Sequence, residues 1–136
     1  MEAEEKKYGP DSTPEEIEML LSRVYLIDDK IVYYNEPPML DLFQMELMWN
    51  KAKQLFKESG AKYFLVNLVG CQRPDSEQRD FLRKEFKEMG ERIEHVSCYT
   101  ERNFLTNMMA KFVVGGTSDK TSMHRTKEEA MKAFKL

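Results

Sequence analysis

A few residues have the types and spacing to do chemistry: Cys71 and Cys98, His95 and His124, Arg73 with Arg102 and Asn103, and the pair Asp75-Ser76. The cysteines fall at the ends of two strand-like runs. As neighbours they could form a reversible disulfide or share a metal, but in a reducing compartment the ordinary state is a free thiol. The histidines are far apart and match no metal-ligand spacing such as His-Glu-x-x-His. Both are expected to be structural, and no metal and no cofactor is expected. Arg73, Arg102 and Asn103 could converge on an anion, since arginine binds phosphate and carboxylate through paired donors; an exposed, solvated arginine is the commoner case. Asp75 or Ser76 should cap a helix, and an anion there would meet free backbone amides and a favourable dipole. There is no glycine-rich phosphate loop, no Gly-x-Ser-x-Gly and no Cys-x-x-Cys. Glu77, Asp80, Glu85 and Glu88 fall on polar helix faces, where such charges usually form solvated ion pairs. The chain is therefore not expected to be an enzyme.

The elements that must position these residues follow from periodicity. Thr13-Pro14-Glu15-Glu16 reads as a helix start, with a capping box and proline at the first helical position; residues 14–22 read as helix or as strand. Val24-Tyr25-Leu26-Ile27 and Ile31-Val32-Tyr33-Tyr34 form a hairpin across Asp28-Asp29-Lys30. Residues 42–59 make a helix capped by Asp41, with Met45, Met48, Trp49, Ala52, Leu55 and Phe56 on one face and Gly60 after its end. Residues 63–69 are nearly all apolar, the mark of a strand buried on both faces. A helix runs to about Met89, a strand over 93–99, a helix over 102–114, a short strand over 122–125 and a last helix after Thr126.

Strands alternating with helices imply an α/β fold: a mostly parallel sheet of four to five strands, an antiparallel hairpin at its N-terminal side, and helices packed on it. Ligands in such sheets sit outside the carboxyl ends of the strands.

Composition sets the outer bounds. The 136 residues suit one domain, with residues 1–22 as an acidic extension and 23–136 as the domain itself. A net charge of −3 argues against nucleic-acid binding. The apolar runs are too short to span a membrane, and the acidic start is unlike a secretory signal. A cytoplasmic location is expected. Ten methionines are unusual, and most fall on apolar helix faces as core filler.

Four segments carry a family likeness: Lys30-Ile31-Val32-Tyr33, Phe64-Leu65-Val66-Asn67-Leu68, His95-Val96-Ser97-Cys98 with Arg102-Asn103-Phe104, and His124-Arg125-Thr126-Lys127-Glu128-Glu129-Ala130. Over residues 24–136 the chain resembles the small bacterial STAS-like proteins related to the sporulation anti-sigma-factor antagonist, whose relatives are grouped with the CRAL-TRIO lipid-transfer fold. The resemblance implies a regulatory module that binds a protein partner. It also implies a phosphorylation site at Ser76, because antagonist-type domains carry Asp-Ser at the helix start after the central strand. Arg73, Asp75, Ser76 and Glu77 would then form the partner surface. The chain departs from that pattern in Asn67, where the family often has Asp, in Cys71-Gln72-Arg73-Pro74, and in Glu77-Gln78; Glu77 would repel a phosphate. The lipid-transfer relatives imply an alternative, a carrier or sensor of an apolar metabolite with Met108, Met109 and Phe112 lining a pocket under the 102–114 helix. Core packing is the ordinary use of that stripe. A homodimer through an exposed hairpin edge is also expected, with Tyr25, Tyr33, Tyr34 and Trp49 at its interface.

Overall fold

The computed structural model describes residues 13–38, 41–71, 75–100 and 120–136. Helix α1 (Pro14–Leu21) starts at Thr13, whose hydroxyl accepts the Glu16 N–H while the Glu16 carboxylate accepts the Thr13 N–H. This decides the choice between helix and strand in favour of a helix, which ends at Leu21 with Ser22 as its C-cap. Leu20 is fully buried against Val24 and the main core, so the N-terminal extension contributes to the domain's interior.

Strands β1 (Val24–Ile27) and β2 (Ile31–Asn35) form the antiparallel hairpin. Its turn needs positive φ at Asp28 (53°) and Asp29 (58°), which Asp tolerates better than most residues. Helix α2 (Leu42–Ser59) has a reciprocal Asp41–Gln44 capping box and stops at Gly60, whose φ of 74° is left-handed. Strand β3 (Tyr63–Asn67), helix α3 (Ser76–Met89), strand β4 (His95–Tyr99), strand β5 (Thr121–His124) and helix α4 (Lys127–Lys132) complete the described elements. The helix expected over 102–114 lies outside the described residues.

The five strands lie in the order β1-β2-β3-β4-β5; β1 is antiparallel and the rest are parallel. The fold is thus α/β with a mixed sheet. Alternation along each strand divides the core in two. Val32, Tyr34, Phe64, Val66, Val96 and Cys98 face α2 and α3, meeting Met45, Met48, Trp49, Phe56, Leu82, Phe86 and Met89. Ile31, Tyr33, Leu65 and Tyr99 face α4 and meet Ala130 and Phe134. Strand β3 is covered on both sides, as its unbroken apolar run requires.

Trp49 anchors the larger core, with ring centroids 4.9 Å from Phe86 and 5.4 Å from Phe64. Burial of Tyr33, Tyr34 and Trp49 removes them from the expected dimer interface and leaves Tyr25, 43% exposed on edge strand β1. Among the described residues no helix is long and apolar enough to cross a membrane.

Candidate functional site

The parallel strands β2, β3 and β4 end together. Their carboxyl ends are tied by Glu36 N–H donating to the Asn67 carbonyl (3.2 Å) and Leu68 N–H donating to the Tyr99 carbonyl (2.9 Å). Asn67 works from both ends of its amide: Nδ2 donates to Asn35 Oδ1 and Oδ1 accepts the Val69 N–H, each at 2.9 Å. That double role gives a physical reason for an amide at this position instead of a carboxylate.

Just inside this rim is a cavity lined by Tyr34, Glu36, Trp49, Phe64, Val66, Leu68, Leu82, Phe86 and Cys98. Its space open to the centre of a water-sized sphere is ≈ 30 Å³, enough for one water or a group of a few heavy atoms. Strand alternation sends Tyr34, Val66 and Cys98 into it; α2 and α3 supply Trp49, Leu82 and Phe86. Among the described residues, the Tyr34 hydroxyl and the Trp49 indole N–H have no hydrogen-bond partner. Burial, then the nearby Glu36 and Cys71, holds the Tyr34 hydroxyl well above its usual range, so it stays protonated. Burial raises the Glu36 carboxyl to about 7, against a smaller opposing effect of the Cys71 hydrogen bond. Near neutrality Glu36 is therefore both donor and acceptor.

Both cysteines are free and buried beside this rim. The Cys71 thiol donates to the Glu36 carbonyl at 3.2 Å. Burial, then Glu36, raises Cys71 and pushes Cys98 up to about 12, so neither is a ready thiolate or metal ligand. Among the described residues no group of three or more His, Cys, Asp or Glu could hold a metal ion.

The start of α3 resolves the choice between Asp75 and Ser76. Asp75 is the cap: Oδ1 accepts the Gln78 N–H at 2.9 Å, and Gln78 Oε1 accepts the Asp75 N–H at 3.0 Å. Ser76 becomes the first helical residue, so its hydroxyl stands outside the cap. Asp75, Ser76 and Glu77 are all exposed. Further along the same helix Glu85, read as a solvated charge, is 7% exposed and ion-paired to Lys53 at 2.7 Å.

On the α4 side of the sheet, the two histidines meet. His95 Nε2 lies 2.8 Å and His124 Nε2 2.7 Å from the Ser122 hydroxyl oxygen, with Ser97 Oγ at 3.4 Å. The β4–β5 register, Ser97 opposite Ser122, brings them together. Burial lowers both histidines; His124 and Lys135 lower His95 further, while Glu129 partly opposes the shift at His124. Neutral imidazoles fit the geometry, one donating to the hydroxyl and one accepting from it.

Arg73, Arg102, Asn103, Met108, Met109 and Phe112 lie outside the described residues. No family model matches the chain, and no curated protein or solved structure is significantly similar to it. Sequence reasoning missed Tyr34, Glu36 and Trp49 as site residues. The available signal was a lone carboxylate between a buried strand and Pro37-Pro38.

Proposed function

We propose that the chain is a non-enzymatic regulatory module that binds a partner protein at the start of α3 and is switched by phosphorylation of Ser76. The observation that supports this reading best is the division of labour at the cap. Asp75 satisfies the helix end, so the exposed Ser76 hydroxyl is open to a kinase at no cost to the helix. A phosphate there would meet the positive end of α3 and Arg79, three residues on. It would also stand between Asp75 and Glu77, whose like charge opposes it. Adding a doubly charged group to that contact surface raises its desolvation cost and its repulsion of acidic groups, so phosphorylation releases the partner.

Affinity capture from the native cell tests this with three forms of the chain. Wild type and Ser76→Ala retain a common protein that Ser76→Glu loses. Identical retention by all three forms, or retention of nothing, would sink the proposal.

The second reading is a carrier or sensor of an apolar metabolite; the pocket expected for it, under the 102–114 helix, lies outside the described residues, and a different cavity, under α2 and α3, favours the reading. Its size limits it to small molecules. Native mass spectrometry of protein purified from cells tests it through any retained mass.

A further inference from the structure

The cavity wall is apolar apart from Tyr34, Trp49 and Glu36. Tyr34 is 3% and Trp49 2% exposed, and both line the same space. Their polar atoms are unpaired among the described residues. A buried donor without a partner is costly, so two on residues lining one space call for an occupant that accepts. Phe64, Phe86, Leu82, Val66 and Leu68 form the remaining walls and would strip solvent from a charge without replacing it. Glu36, at the strand-end side, adds a further reason against an anion, since its ionised form would repel one. The space also fixes the size: ≈ 30 Å³ for atom centres admits a few heavy atoms.

We propose that this cavity binds a small uncharged molecule through one carbonyl oxygen, which accepts hydrogen bonds from the Tyr34 hydroxyl and the Trp49 indole. The site is separate from the α3 start, although α3 walls it with Leu82 and Phe86. Its existence does not depend on the Ser76 proposal.

Trp49 is the single tryptophan in the chain, so its indole N–H gives one resonance in a nitrogen–proton correlation spectrum. The test titrates the full chain with acetone and, separately, with isobutene, which has nearly the same shape and no acceptor. Acetone should move the indole resonance downfield and saturate; isobutene should not. In Tyr34→Phe the acetone affinity should drop about fivefold, the worth of one neutral hydrogen bond, and the amide spectrum shows whether that variant keeps its fold. The wild-type comparison stands without it. A linear, unsaturated response to acetone, or an equal response to isobutene, overturns the proposal. So does a water–indole cross-peak that persists at the highest acetone concentration, which would make the cavity a water site only.

Discussion

Glu36 carries the clearest residue-scale consequence. Its folded value is raised to about 7 from 4.5 by burial, so the folded chain holds this proton more tightly than the unfolded one. The stability tied to that proton is fully present below about 4.5 and is lost as pH rises through about 7. Glu36→Gln should therefore be more stable than wild type at pH 8 and close to it at pH 4, as read from urea midpoints. The histidines act in the opposite sense. Both are lowered from 6.5, so the unfolded chain takes up protons first as pH falls. Their contribution is present above about 6.5 and is lost as pH falls through the lower folded values. Replacing both His95 and His124 with Gln should flatten the fall in stability between pH 7 and pH 5; an unchanged slope would show that the Ser122 cluster does not titrate with folding. None of this was legible residue by residue. Glu36 looks like a turn carboxylate, and 28 positions separate His95 from His124; the β4–β5 register alone puts them on one hydroxyl.

Elements were far easier to read, because their signals are local. Thr13, Asp41 and Thr126 each cap the helix assigned to them. Gly90 follows α3 in a right-handed conformation, and Glu129 accepts the Arg125 N–H. The ambiguity between Asp75 and Ser76 could not be settled by residue type, since both are good caps. It leads to a measurable contrast. Asp75→Ala should cost ~1 kcal/mol of stability through the lost cap, whereas Ser76→Ala should stay within about 0.5 kcal/mol, as for an exposed site with no structural duty. Thermal unfolding of the two variants checks it. Equal losses would return Ser76 to a capping role and remove the main support for a free hydroxyl.

At the scale of the whole molecule, the α/β architecture was legible because strand and helix periods alternate and the hairpin turn is marked by Asp28-Asp29-Lys30. The sheet order then fixes what sequence cannot state. Strands β2, β3 and β4 end side by side, so a carboxylate, an asparagine ladder and two thiols share one rim. The α3 helix connects that rim to the exposed Asp75, Ser76 and Glu77 at its start and to the cavity through Leu82 and Phe86. One face of α3 thus serves the core while its first turn is open to a partner. The most direct test of that arrangement is the affinity of the captured partner for the chain made with serine or with phosphoserine at position 76. The account predicts binding weaker by about tenfold or more, ~1.4 kcal/mol, with phosphoserine; equal affinities would contradict it.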